Sequence, residues 1–372
     1  VIAYVTRDGE HRYPVDTPIW RCPETGAPIN LTAGDGLGRG DIDAAERSLW
    51  RYAAAIRVDR SARVELGEGC TPLIPVSLKA GRVRLKLESL MPTGSFKDRG
   101  MAVLVAYLKS HGISEVMLDS SGNAAAALAC YAGASGIKCT VLVPAATSPT
   151  KVAQMRAYGA VVDLVEGSRQ DVAAKALRMA EDGVFYASHN WQPFFIEGTK
   201  TLAYEIWEQS GFRAPDNVVI PVGYGSNLLG CRIGFDELKR RGEIDRVPRL
   251  FAAQPANVGA LVRAFEAGAD SPVAFTPKPT VAEGVAAAKL VRTAECVAAL
   301  RDTGGGAVAV AEETILPAVR MLAAKGVLVE PSCAIAATGY AQLVAAGTIA
   351  AEEDTVVVMT GNGLKSLDAL ME

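Results

Sequence analysis

From residue 115 onward the chain alternates short apolar runs with helical stretches, and no other feature limits its possible folds so strongly. Residues 116–119, 139–143, 161–165 and 184–187 read as buried strands, with helical patterning between them at 124–134, 149–158 and 170–181. Parallel neighbours need a crossover long enough for a helix, so this rhythm implies a parallel sheet with helices on its faces. It returns after Glu197, with strands expected at 217–221, 250–253, 307–311 and 355–359. Helices are expected there at 227–240, 312–325, 334–345 and from Gly361 onward. Residues 83–88 alternate apolar and polar side chains, which suits a half-buried strand.

A chain of 372 residues exceeds one ordinary core. The expected division is an N-terminal extension over 1–66, a small α/β domain over 101–194, and a large α/β domain from 67–100 with 195–372. The large domain's sheet is expected to include the strand before Lys97. Within the extension, the run Ala33-Gly-Asp-Gly-Leu-Gly-Arg-Gly40 follows no apolar strand, so it reads as a loop and not a nucleotide site.

Charge and cysteine usage exclude several functions. A net charge of -3 gives no electrostatic case for binding nucleic acid or an acidic membrane. The 7 cysteines are scattered without a Cys-x-x-Cys pair, which favours reduced thiols and a cytoplasmic location. Cys22-Pro-Glu-Thr-Gly looks like half a zinc knuckle with no second half, and His11, His111 and His189 are too dispersed for a ligand cluster. No metal site is therefore expected. No export signal or long apolar span is visible.

Chemistry concentrates around Met91-Pro-Thr-Gly-Ser-Phe-Lys97-Asp-Arg-Gly-Met101. Turn residues 92–95, with Ser95 as the expected N-cap, place Lys97 in the first turn of an apolar helix. The positive end of a helix dipole disfavours an ammonium there and favours a neutral amine able to form an imine. A lysine met alone is ordinarily a solvated surface residue, so its surroundings decide.

Three strand-to-helix loops supply those surroundings. Ser120-Ser121-Gly122-Asn123 offers hydroxyls and backbone N–H groups to a carboxylate, with Asn123 either an N-cap or a donor to a ring hydroxyl. Gly223-Tyr224-Gly225-Ser226-Asn227 permits close backbone approach and suits one phosphate monoester, but it lacks the pattern for a nucleoside triphosphate. Thr360 leaves its strand at the carboxyl edge of the sheet, as a helix cap or as a hydrogen-bonding partner for a pyridine nitrogen. One phosphate, one imine-forming lysine and one carboxylate loop point to pyridoxal 5'-phosphate acting on a small amino-acid substrate.

Together these stretches resemble the fold-type II pyridoxal-phosphate enzymes, the tryptophan synthase β family, and within them the threonine synthases. The resemblance runs from about residue 67 to 365 and includes Glu197-Gly-Thr-Lys-Thr, Glu330-Pro-Ser and Thr360-Gly-Asn-Gly-Leu-Lys. It implies two open parallel-sheet α/β domains with the cofactor in the cleft between them, and a homodimer. It also implies that Lys97 carries the cofactor, Asn123 meets its 3-hydroxyl, residues 223–227 hold its phosphate and Thr360 meets its ring nitrogen. Ser120, Ser121, Gly122 and Asn190 would receive the substrate. The implied reaction converts O-phospho-L-homoserine and water to L-threonine and phosphate.

Two departures favour a rival on the same scaffold, a serine/threonine ammonia-lyase or a β-replacement enzyme. Threonine synthases usually carry a phosphate-binding arginine between the residues matching Asn190 and Glu197, whereas here the stretch is Asn190-Trp-Gln-Pro-Phe-Phe-Ile-Glu197. Lys151, Arg156 and Lys200 are the cations that could take its place. The segment Thr280-Val-Ala-Glu283-Gly-Val also reads like the matching stretch of the dehydratases.

Overall fold

The computed structural model describes residues 1–78 and 81–371; Lys79, Ala80 and Glu372, all inside the span expected for the large domain, lie outside the described residues. The strands are β1 (Ala3–Thr6), β2 (Arg12–Pro14), β3 (Ile29–Leu31), β4 (Leu73–Leu78), β5 (Gly81–Lys86), β6 (Glu115–Leu118) and β7 (Lys138–Pro144). They continue with β8 (Val161–Val165), β9 (Phe185–Tyr186), β10 (Asn217–Pro221), β11 (Arg249–Pro255), β12 (Gly306–Val310) and β13 (Thr355–Val358). The helices are α1 (Lys97–Ser110), α2 (Asn123–Ala134), α3 (Pro149–Ala157), α4 (Arg169–Glu181), α5 (Pro193–Thr199) and α6 (Thr201–Gln209). After them come α7 (Ser226–Arg240), α8 (Ala260–Glu266), α9 (Thr293–Asp302), α10 (Ile315–Ala323), α11 (Pro331–Ala345) and α12 (Asp368–Met371).

Packing divides the chain into two units. The first comprises Val1–Asp35, Ile42–Glu68 and Lys97–Thr199; the second comprises Gly36–Asp41, Gly69–Phe96 and Lys200–Glu372.

In the first unit the parallel sheet has the order β8-β7-β6-β9. Successive strands β6, β7 and β8 step one way from β6, and β9 pairs on its other side. The order thus reverses between β6 and β9, which opens a crevice at their carboxyl ends. Helix α1 is buried from Asp98 to Leu108; its stretch from Met101 to Leu108 is apolar on all sides and needs such cover, and the helix packs against α2 and α5. Its approach to α5 requires Gly198, where an added Cβ would strike the Arg99 carbonyl.

The segment expected as an extension shows no strand and helix alternation, yet it forms a three-stranded antiparallel sheet, β2-β1-β3. Sheet and α1 share one apolar core. The Tyr4 and Tyr107 hydroxyls lie 2.6 Å apart, and Tyr107 stacks on Phe194 at 3.7 Å.

The second unit is built on a six-stranded sheet, β12-β11-β10-β13-β5-β4, parallel except for the antiparallel edge strand β4. The strands before Lys97 therefore do join the later sheet. Here the order reverses between β10 and β13. A buried polar network fixes the turn that enters β4: Glu205 accepts from the backbone N–H groups of Cys70 and Thr71, and the Lys86 ammonium donates to Glu205, Gln209 and the Thr71 carbonyl.

Two local expectations are corrected. Ser95 does not cap a helix; it forms a bridge with Gly361, and α1 begins only at Lys97. The helix expected from Gly361 is a 3₁₀ turn at Gly363–Ser366 followed by the single turn of α12, because Asn362 caps the turn by accepting from the Leu364 N–H. No helix among the described residues is long and apolar enough to cross a membrane.

Candidate active site

In the first unit the candidate residues gather at the carboxyl edge of the sheet. The chain leaves β6 through Asp119 and Ser120, and Gly122 is the N-cap of α2 in extended conformation. Among the described residues no side chain caps that helix, and the start of a helix is a place where an anion can be held. Asn123 is accordingly the first helical residue and not the cap. Across the crevice, β9 is followed by Ser188, His189 and Asn190.

Lys97 heads α1 as its spacing implied. Its side chain keeps some surface open to water, yet the surrounding protein desolvates the amine and pulls its pKa down to about 7. Burial is the cause: removing an ammonium from water favours the neutral amine. Its Nζ lies 5.6 Å from the centre of the Phe195 ring. His189 packs edge-on against the same ring at 5.8 Å and is held well below the usual imidazole range, first by burial and then by the charges of Lys97 and Arg169. His189 is therefore a neutral imidazole beside the lysine, a role that its isolated position in the sequence did not signal.

In the second unit the chain leaves β10 through Val222, and Gly225 is the N-cap of α7 with φ 90°. Only glycine fits there: the backbone is left-handed, and an added Cβ would strike the sulfur of Cys296. Among the described residues no side chain caps this helix either. Just inside it, both amide atoms of Asn227 are buried without a hydrogen-bond partner among the described residues. A buried amide left this way costs free energy unless a ligand satisfies it.

Thr360 follows β13 and is buried. Its backbone N–H donates to the Cys333 sulfur at 3.0 Å, and its carbonyl accepts from the Phe96 N–H at 3.0 Å. The second contact ties the turn before Lys97 to the end of β13.

The fold thus places Lys97, Ser120, Ser121, Gly122, Asn123 and Asn190 in the first unit, and Gly223, Tyr224, Gly225, Ser226, Asn227 and Thr360 in the second. Lys200, a candidate substitute for the missing arginine, is fully buried and paired with Glu237 at 3.1 Å. Arg156 is exposed on α3 and Lys151 half-buried in that helix's first turn. Sequence spacing offered no metal cluster near Cys22, but the fold brings the ligand atoms of His11, Cys22 and Glu24 within 4.8 Å of one another. The Tyr13 hydroxyl lies among them, 3.1 Å from the Cys22 sulfur and donating to Glu24.

A family model described as pyridoxal-phosphate dependent enzyme matches residues 64–361. The chain belongs to this family. As a pyridoxal-phosphate-dependent enzyme it is 34% identical to a threonine synthase of Methanocaldococcus jannaschii, over 96% of this chain and 91% of the relative. It is 35% identical to a threonine synthase of Methanosarcina acetivorans, over 87% of this chain and 82% of that protein. Among solved structures, threonine deaminase isoform 2 of Solanum lycopersicum superposes with a TM-score of 0.73 at 22% identity, over 95% of this chain and 98% of the other. Maize serine racemase superposes with a TM-score of 0.68 at 25% identity, over 81% and 91%. These likenesses establish a fold-type II enzyme of two α/β domains.

The residues present fit the cofactor of this family. A desolvated amine suits attachment to an aldehyde, and the uncapped start of α7 with the orphaned Asn227 amide suits a phosphate.

Proposed function

We propose that this lyase converts O-phospho-L-homoserine and water to L-threonine and phosphate. The observation that carries it is Lys97, a lysine at a helix start whose pKa burial lowers to about 7, so that a large share of the amine is neutral at that pH. The threonine synthases at 34% and 35% identity support the choice of substrate.

In this reading Lys97 holds the cofactor at rest. Residues 223–227 hold its phosphate through the N–H groups of α7, Asn123 meets its 3-hydroxyl, and the Thr360 hydroxyl meets its ring nitrogen. A hydroxyl can donate a hydrogen bond there without holding a proton on the ring, which moderates the ring's pull on electrons. When bound, pyridoxal 5'-phosphate supplies an electron-withdrawing system that acidifies the hydrogens at Cα and Cβ of an amino acid.

Ser120, Ser121 and Gly122 hold the substrate carboxylate at the open start of α2, and Asn190 lines the opposite side of the crevice. This fixes Cα for proton transfer. The free Lys97 amine takes the Cα proton as general base and later returns one to Cα; a pKa near 7 serves both transfers. Neutral His189 adds no positive charge of its own beside the lysine, and both pack near the Phe195 ring.

Phosphate release from O-phospho-L-homoserine, measured against ammonia release from threonine and serine, tests this reading. Ammonia from threonine with no phosphate release rejects it in favour of an ammonia-lyase. One observation favours that rival: Phe194 and Phe195 are fully buried in the stretch where a phosphate-binding arginine was expected.

A further inference from the structure

A phosphorylated substrate brings a dianion that needs charge-assisted donors. Residues 190–197 contain no cation, and Lys200 is already paired. One guanidinium nevertheless reaches the substrate edge of the first unit's sheet. Arg169 opens α4 just after the edge strand β8, capped by Ser168, yet its Nη2 lies 3.0 Å from Oδ2 of Asp119 at the end of β6. Strands β8 and β6 are separated by β7, so the side chain crosses the carboxyl ends of the sheet, a span of roughly 10 Å at ordinary strand spacing.

Asp119 anchors that crossing. Its other oxygen accepts from the Tyr186 hydroxyl of β9 at 2.5 Å, so the carboxylate bridges the two strands whose carboxyl ends form the crevice. Ser120 follows it directly. The Asp119 side chain is 9% exposed, whereas Arg169 keeps half of its side-chain surface open. A guanidinium has five N–H donors in a planar fork, and the contact to Asp119 uses one nitrogen. The remainder can face a second anion. The charge also acts where the substrate would lie, since it opposes protonation of His189 together with Lys97.

We propose that Arg169 determines specificity in the proposed reaction, receiving the phosphate of the substrate side chain while Asp119 pins the guanidinium over the crevice. This rests on the O-phospho-L-homoserine reading, and it places the cation on α4 and not in the 190–197 stretch.

The test uses holoenzyme, so that the cofactor fills its own phosphate site. Calorimetric titration with inorganic phosphate at constant ionic strength should show saturable binding to the wild type. Arg169→Met should weaken it at least tenfold, and Arg169→Lys should recover part of the loss because it keeps the charge but not the fork. In turnover, Arg169→Met should raise KM for O-phospho-L-homoserine roughly 10- to 100-fold, with kcat changed far less. Wild-type-like phosphate binding by Arg169→Met, or no binding by the wild type, overturns the assignment. Arg169-dependent phosphate binding without phosphate release from O-phospho-L-homoserine would reject the proposed reaction and leave the anion subsite standing.

Discussion

The start of α1 and the start of α7 solve opposite problems with the same element. At α1 the functional group is a side chain, and its chemistry is set by what surrounds it: burial removes water from Lys97, and the neighbouring imidazole stays neutral. At α7 it is the backbone, and what matters is what has been left out: no Cβ at Gly225 and, among the described residues, no capping side chain and no partner for the Asn227 amide. One site is tuned by electrostatics and the other by sterics. Their variants should therefore fail in different ways.

The largest effect is expected at α1. Lys97→Ala should lower turnover by more than about 1,000-fold, because nucleophile and general base are lost together. Borohydride reduction followed by peptide mapping should label position 97 in the wild type and nothing in the variant. A label elsewhere would remove the basis of the comparison.

The next effect is on stability, and it sharpens the electrostatic half. The folded-state pKa of Lys97, about 7, lies below its ordinary 10.5. Between those values the unfolded chain binds a proton that the folded chain does not, so stability of the cofactor-free protein should rise with pH across that window. The full shift corresponds to a few kcal/mol at most, on the order of 3 once water reaching the open face of the side chain is allowed for. Denaturant melts of the wild type and Lys97→Met at several pH values isolate this slope. Equal slopes would show that the amine is not desolvated.

Gly225→Ala should act through geometry alone. The left-handed backbone and the collision with Cys296 cost on the order of 1–3 kcal/mol, which would weaken cofactor binding roughly 10- to 100-fold. The pH slope of the cofactor-free protein should survive in this variant. If it vanishes, the two helix starts are not independent.

The smallest effect has two signs. Asn227→Ala removes an unsatisfied buried amide, so the cofactor-free protein should be unchanged or slightly more stable. The same change should weaken the cofactor by about 1 kcal/mol, roughly fivefold, as judged by equilibrium titration. Loss of stability without the cofactor would mean that the amide serves the fold and not the ligand.

Much of the sheet architecture was legible because strand–helix alternation leaves few topologies, and β10, β11 and β13 lie close to where apolar runs placed them. The antiparallel N-terminal sheet was not legible, since β1–β3 have at most four residues each, and Tyr4 and Ile29 are buried in a core shared with α1 that only the packed chain assembles. Ser95 was misread because Ser before an apolar helix is the standard cap signal, while here pairing with Gly361 claims the backbone.

At the site, local order along the chain determined which residue types stand at which helix starts: a lysine at α1, serines and glycine before α2, glycines before α7. Those follow from turn and cap chemistry acting over a few residues, and sequence carries that information directly. Whether the lysine is charged, whether His189 sits beside it, and which cation reaches the crevice depend on residues tens of positions apart. Arg169 meets Asp119 only because β8 and β6 flank β7 in one sheet. Desolvation and long-range pairing are properties of the packed chain, so tertiary structure alone decided them.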